Sequence, residues 1–221
     1  PEQAKAHREG DIHIHDFDFY SLTTTCTQID IINLFDGGFS TGHGFLREPQ
    51  SIQSYAALAA IAIQSNQNDQ HGGQSIPNFD YGMALGVAKT FRKAYTNKLM
   101  EGVEDFLDTE NEKDGVTAVL AQAKEKTGAG PRLEIGAQEY DKAVAEGLTQ
   151  HYNIQPEKAA HLVEVARRRA VRKADRDTYQ AMEGFVHNLN TMHSRAGAQT
   201  PFSSINYGTD TSPEGRMVIR N

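Results

Sequence analysis

Two runs of helical period constrain this chain before anything else does. Between Tyr81 and Lys98, the residues Met83, Val87, Phe91 and Tyr95 recur four apart, so they line one face of a helix. Ahead of them, SIQSYAALAAIAIQ from Ser51 to Gln64 sets Ile52, Tyr55, Ala56, Ala59 and Ile63 at three- and four-residue spacing. The many alanines of that second run let another helix approach closely. Both faces must be buried against something, and the rest of the chain has to supply it.

Strand signals surround these helices. TCTQIDIINLF, from Thr25 to Phe35, is rich in Ile and Thr and predicts a buried strand or its approach, followed by the glycine-rich loop DGGFSTGHG. From about Met100 to Gln155 the chain is charged and glycine-interrupted, which predicts short helices and points to no chemistry. Pro156 opens a further helix, whose RRRAVRK run from Arg167 to Lys173 reads as a solvated cationic face late in the helix, where the macrodipole favours cations. Thr178 to Asn190 is helical as well. INYG from Ile205 and the later RMVI suggest two strands around the turn TDTSPEG. Strands mixed with long helices imply an α/β architecture. No internal repeat is present. The opening PEQAKAHREGDIHIHDFDFY and the closing EGRMVIRN read as the ends of a piece of something larger.

Composition narrows the function classes. A formal net charge of -7 over 221 residues argues against a general nucleic-acid or membrane-surface binder. Nothing resembles a signal peptide, and no apolar run approaches the roughly 18 residues of a membrane span. The one cysteine, Cys26, excludes an intrachain disulfide framework and fits a reducing compartment. A soluble, cytoplasmic protein is the expectation.

Four stretches carry polar groups worth a chemical reading. In NTMHSRAGAQTPFSSINYG, from Asn190 to Gly208, the side chains of Ser194, Thr200, Ser203 and Ser204 and the backbone around Gly197 offer neutral donors with little bulk. They suit either a phosphate cradle or a tight loop that satisfies its own backbone. Neither a Walker pattern nor GxGxxG is present. In DIHIHD, His13 and His15 alternate on one strand face beside Asp16, a spacing open to a metal site or to structural histidines. QSNQNDQHGGQSIPNFDY, from Gln64 to Tyr81, is amide-rich, and its His-Gly-Gly permits close backbone approach. It could hold a polar ligand or form a hydrogen-bonded corner. Cys26, among Thr23, Thr24, Thr25 and Thr27, is by default a small buried hydrophobe.

Taken in order, GDIHIHDFDFY, TTTCTQIDIINLF, GGFSTGHGFLREPQSI, AIQSNQNDQHGGQSIPNFDY and MEGFVHNLNTMHSRAGAQTPFSSINYGTDTSPEGRMVIRN resemble the anaerobic (class III) ribonucleoside-triphosphate reductases, a glycyl-radical family. The motifs cover roughly the first hundred residues and the last forty. The resemblance implies a ten-stranded α/β barrel made of two five-stranded halves, with residues 1–221 a partial catalytic barrel domain. It implies that Ser203 and Ser204, with Thr200 and Gln199, hold the ribonucleotide substrate, and that Cys26 is the redox cysteine of the first barrel strand. It also implies a thiyl-forming cysteine on a finger loop, a C-terminal glycyl radical and a four-cysteine zinc site. None of these is in this chain, nor is an ATP-cone. The expectation is a fragment of the catalytic subunit that does not turn over alone.

The same resemblance implies a homodimer with deoxynucleotide and ATP effectors near the helices Ser51–Gln64 and Tyr81–Lys98, where Arg92 and Lys93 are candidates for effector phosphates. Its implied partners are a radical-SAM activating enzyme and either formate or a dithiol protein as reductant. Two other readings remain at this stage. One is a metal-dependent hydrolase using His13, His15 and Asp16. The other is a non-catalytic nucleotide-binding regulatory module.

Overall fold

A computed structural model describes residues 2–14, 24–42, 44–134, 138–193 and 200–221. Their elements run α1 (Glu2–Glu9), β1 (Thr24–Gln28), α2 (Ile31–Phe35), β2 (Phe39–Ser40), β3 (Phe45–Leu46) and α3 (Ile52–Asp69), then β4 (Gln70–Ile76) and α4 (Phe79–Leu107). They continue with α5 (Lys113–Thr127), α6 (Gln138–Tyr152), α7 (Pro156–Thr191), β5 (Ser203–Ile205) and α8 (Pro213–Arg220). The two expected helices are α3 and α4, each longer than its apolar period suggested.

Local chemistry explains where α3 begins. Ser51 and Ser54 form a reciprocal capping box, and Thr90 Oγ1 on α4 accepts from Ile52 N at 2.8 Å. The alanine ridge of Ala56, Ala59 and Ala60 is buried, and α3 packs against both α4 and α7. Along α4, Phe79, Met83, Val87, Phe91, Tyr95, Leu99 and Val103 continue the same face into the core.

The cationic run is solvated at Arg168, Arg169, Arg172 and Lys173, as expected, but it is not late in its helix and Arg167 turns inward. Pro156 to Thr191 is one helix of 36 residues, about 54 Å long at 1.5 Å per residue, and Arg167 lies in its first half. Small buried residues (Ala159, Ala166, Ala170, Ala174) carry the helix across the core, so no break separates the two segments that the sequence suggests. Arg167 Nη2 donates to Asp141 Oδ1 at 2.9 Å, its Nε meets Asp141 Oδ2, and Nη1 donates to the Arg132 carbonyl at 2.7 Å. Its guanidinium also lies over the rings of Phe91 and Tyr95, at 5.6 and 5.7 Å. Tyr95 Oη donates to Asp141 Oδ1 at 3.0 Å. Burial, and then the Asp141 charge, push the Tyr95 phenol far up, and the same causes raise Tyr140 to about 12. This cluster joins α4, α6 and α7.

Two strand expectations are corrected. After β1 the chain turns into helix α2, because the Asp30 carboxylate accepts from Ile32 N and Asn33 N and caps it. Ile31 and Phe35, four apart, are buried, whereas β1 itself is mostly exposed. RMVI lies in α8. Ser212 Oγ accepts from Gly215 N at 3.0 Å and Pro213 stands in the first turn, so a helix start overrides the β-branched run. The glycine-rich loop holds a short antiparallel pair, Phe39 opposite Leu46 and Ser40 opposite Phe45.

The main sheet has three strands among the described residues, in the order β1-β4-β5, and both pairings are parallel. Parallel neighbours need a crossover connection: α3 bridges β1 to β4, and the helices α4 to α7 lie between β4 and β5. The architecture is α/β and helix-rich. Three strands do not display a ten-stranded barrel.

A buried carboxylate holds the last strand in place. Asp80, 1% exposed at the start of α4, accepts on Oδ2 from the backbone N–H groups of Gly208, Thr209 and Asp210 at 2.8, 3.0 and 2.9 Å. Tyr81 N donates to its other oxygen, and Tyr81 Oη donates to the Thr209 carbonyl. Burial pushes the Asp80 pKa up, but the four backbone donors outweigh it and the net position is below the usual carboxylate value. A depressed folded pKa stabilises the fold above the unfolded value, about 3.9, and that contribution is lost as pH falls through the folded value. Asp80→Asn removes this pH-dependent part and costs about 3 kcal/mol, because three N–H groups then share a neutral acceptor. Urea unfolding of both proteins at pH 7 and below pH 4 checks this: the gap narrows on acidification.

Candidate functional site

Three short segments far apart in sequence meet at one end of the sheet. β1 brings Cys26, β4 brings Gly73, Gln74 and Ser75, and β5 brings Ser203 and Ser204. The register places Ser203 beside Gln74 and Ser204 beside Ser75. With Thr27, Gln28 and Phe202 they enclose an open pocket of about 350 Å³. No charged side chain lines it; its polar groups are hydroxyls, amides and one thiol.

The thiol sits in an irregularity of the strand pair. Thr25 pairs with His71 but Thr27 pairs with Gln74, so Gly72 and Gly73 together stand opposite the single residue Cys26. Cys26 has φ 54° and Gly72 has φ +85°, both in the left-handed region. A Cβ at Gly72 would lie 3.1 Å from Cys26 Sγ, and one at Gly73 would lie 3.4 Å from the Phe202 ring. Glycine at both positions therefore makes room for the thiol on one side and the ring on the other. Cys26 is exposed, not the buried small hydrophobe of the default reading.

Beneath the sheet, the amide run of Gln64 to Tyr81 resolves mainly as a hydrogen-bonded corner. Asn66 Nδ2 donates to Thr27 Oγ1 at 2.6 Å and to Gln74 Oε1 at 2.8 Å. Thr27 Oγ1 donates to Gln70 Oε1 at 2.6 Å, and Gln70 Nε2 donates to the Gly72 carbonyl at 3.3 Å. Gln74 Nε2 reaches the Ile63 carbonyl at 2.9 Å, and Gln67 Nε2 reaches the Thr200 carbonyl at 3.4 Å. Gln67, Gln70 and Gln74 are buried, so these bonds satisfy groups that water cannot reach. The amide density of the sequence pointed here; the partners could not be read from it.

The remaining sequence candidates fall differently. Ser203 and Ser204 converge with Cys26, while Thr200 is exposed and does not line the pocket. Gln199, Ser194 and Gly197 lie outside the described residues, as do His15 and Asp16. His13 is exposed, with its ring centroid 5.6 Å from that of His7. Among the described residues no group of three or more His, Cys, Asp and Glu could hold a metal ion. Arg92 and Lys93 are exposed on α4 and do not line the pocket. Phe202, which sequence reasoning passed over, is 77% exposed at the pocket's rim.

A larger hollow of about 700 Å³ lies on another side of β1, bordered by Asp30, Asn33, Phe39, Ser65 and Asp69. It shares Thr27 and Gln28 with the thiol pocket but carries neither the thiol nor the serines. The smaller pocket is the better chemical candidate.

A family model described as anaerobic ribonucleoside-triphosphate reductase matches residues 1–221. The chain is similar to proteins named anaerobic ribonucleoside-triphosphate reductase from Enterobacteria phage T4, Salmonella typhimurium and Escherichia coli, each 24% identical over 216 residues. The match covers 97% of this chain and 26%, 22% and 22% of those relatives, so the chain spans about a quarter of their length. No helix among the described residues is long and apolar enough to cross a membrane.

Gly72→Ala tests the geometry of the bulge. It forces a Cβ into the left-handed region against Cys26 Sγ, costs about 1–3 kcal/mol, and changes the rate at which the thiol is alkylated. Urea unfolding and a timed reaction with iodoacetamide read the two effects separately.

Proposed function

The chain belongs to the anaerobic ribonucleoside-triphosphate reductase family, and from that membership we propose that it supplies the redox cysteine and the substrate-binding hydroxyls for reducing ribonucleoside triphosphates to 2'-deoxyribonucleoside triphosphates. The observation that carries this reading is the convergence of Cys26 with Ser203 and Ser204 across Gly73 and Gln74 in one uncharged pocket. Net reduction replaces the 2'-hydroxyl by hydrogen and releases water. The two electrons and one of the two protons come from formate, which leaves as carbon dioxide while solvent supplies the second proton, or both electrons and both protons come from a dithiol, which leaves as a disulfide.

Each residue has a part in this scheme. Ser203 and Ser204 donate neutral hydrogen bonds to phosphate or ribose oxygens, holding an anion without a fixed cation and so without over-tight retention. Thr200 and Gln199 extend that donor set. Cys26 presents its thiol hydrogen toward the sugar face. The pocket offers a passing radical little besides that thiol that is easily oxidised. The glycyl radical supplies the oxidising equivalent that starts the reaction. Four thiolates are needed for the family's zinc site, and this chain has one cysteine, so its residues do not fit that metal.

The surrounding assembly is part of the same proposal. The three parallel strands belong to a ten-stranded barrel, and the protein works in the cytoplasm as a homodimer activated by a radical-SAM enzyme. Deoxynucleotides and ATP act as effectors at an interface on α3 and α4, where Arg92 and Lys93 are free to meet phosphates. Neither the metal-dependent hydrolase nor the stand-alone regulatory module gains support from the family match over residues 1–221.

Calorimetric titration with a ribonucleoside triphosphate is the direct test. Ser203→Ala/Ser204→Ala weakens binding about tenfold or more, as expected for two hydrogen bonds at about 1 kcal/mol each. Binding that ignores the double substitution removes the serines from the substrate site. The purified chain, given substrate and activating enzyme, forms no deoxyribonucleotide, because a single thiol cannot serve as both thiyl and reducing cysteine. Turnover, read by chromatography of the nucleotide pool, overturns that division of labour.

A further inference from the structure

Cys26 occupies a backbone conformation that a residue with a side chain rarely keeps. Its φ of 54° falls inside a strand, where such strain persists only if the surroundings over-determine it. One side chain spans both sides of the irregularity. Gln70 Oε1 accepts from the hydroxyl of Thr27, the residue after Cys26. Gln70 Nε2 donates to the carbonyl of Gly72, the residue against which Cys26 Sγ rests.

Proton counting fixes the direction of this chain of bonds. Thr27 has one hydroxyl proton and gives it to Gln70; the hydroxyl oxygen then accepts from Asn66 Nδ2. The second proton of Asn66 Nδ2 goes to Gln74 Oε1, just past the bulge. The order is Asn66 to Thr27 to Gln70 to Gly72, and each donor polarises the next. Gln70 is 1% exposed, so bulk water does not compete for either of its bonds.

We propose that Gln70 is a positioning residue for Cys26: by bridging Thr27 and Gly72 it locks the bulge in register and holds the thiol in the pocket of Ser203 and Ser204. Its interest rests on the reading of Cys26 as the redox thiol, although the positioning itself is measurable without substrate. Gln70 does not itself line the pocket, so it acts through its two partners, the Thr27 hydroxyl and the Gly72 carbonyl.

Because Cys26 is the one cysteine, the chain labelled with 13C-cysteine gives a single Cα and a single Cβ resonance, and these report its backbone conformation directly. Gln70→Glu keeps an acceptor for Thr27 but has no N–H for Gly72. Thr27→Val keeps the shape and removes the hydroxyl. In each variant the Cys26 resonances move toward extended-strand values or split into several, and Thr27→Ser restores the wild-type spectrum. Arg167→Ala, which loosens the helical cluster far from the bulge, lowers the melting temperature and leaves the Cys26 resonances in place. Resonances of Gln70→Glu or Thr27→Val that superimpose on wild type, in a chain that still melts cooperatively, overturn the proposal. If Gln70→Glu fails to fold, Thr27→Val decides alone. Titrating wild type with a ribonucleoside triphosphate on the same signals tests the functional reading separately, since unshifted resonances there leave the variant comparison untouched.

Discussion

The Asp80 carboxylate is the constraint on which the position of the last strand depends. Three consecutive N–H groups, from Gly208 to Asp210, converge on one oxygen, and none of them lies within a helix or strand ladder. A buried carboxylate without donors is costly, so the fold is stable only when the segment after β5 brings its N–H groups to that oxygen. The placement is reinforced by Phe79 N donating to the Asn206 carbonyl and Asn206 N donating to the Ile76 carbonyl. β4 and α4 thus leave the same corner that β5 enters. Ser203 and Ser204 are set in register with Gln74 and Ser75 as a consequence.

A second constraint works on the other side of β4, without charge. Asn66, Gln67, Gln70 and Gln74 connect α3 to β1, to β4 and to the segment leading into β5. Amides suit that task because each carries donors and an acceptor, so a few residues can tie several backbones together. Carboxylates would bring desolvation costs and an electric field next to the pocket. Two of the fold's charged clusters, Arg167 with Asp141 and the Asp80 clamp, lie away from the pocket lining. An uncharged lining leaves the electrostatics of the pocket to whatever anion enters it.

Much of this was legible in the sequence, and the failures have physical causes. The faces of α3 and α4 were readable because Met83, Val87, Phe91 and Tyr95 follow the helical period without interruption. Cys26, Ser203 and Ser204 were named from motif resemblance, and the fold brings them together. The segment from Ile29 to Phe35 was misread because β-branched residues signal strands, while one carboxylate at Asp30 caps a helix there. RMVI failed in the same way, since Ser212 and Pro213 start a helix that the three apolar residues Met217 to Ile219 conceal. Arg167 was misread because its partner, Asp141, lies 26 residues away, beyond any local pattern. The bulge was invisible for a similar reason: register is a property of two strands, and the glycines at 72 and 73 reveal their purpose only opposite Cys26.

Parallel pairing links these observations to the length of the helical region. A strand cannot return alongside its neighbour in the same direction without a crossover, so β5 reaches β4 only after the chain has travelled back along the molecule. α7 covers that distance in a single helix and delivers the chain toward β5. Its rigidity depends on the alanine ridge and on the Arg167 cluster, neither of which touches the pocket. The helical region therefore serves the site by geometry: it returns two serines to a thiol more than 170 residues earlier in the chain. The final alignment is then set by one carboxylate and one run of amides. Substitutions in the Arg167 cluster should act on the pocket through stability alone, whereas those at Asp80 or Gln70 should also disturb register, a difference that follows from which backbones each side chain holds.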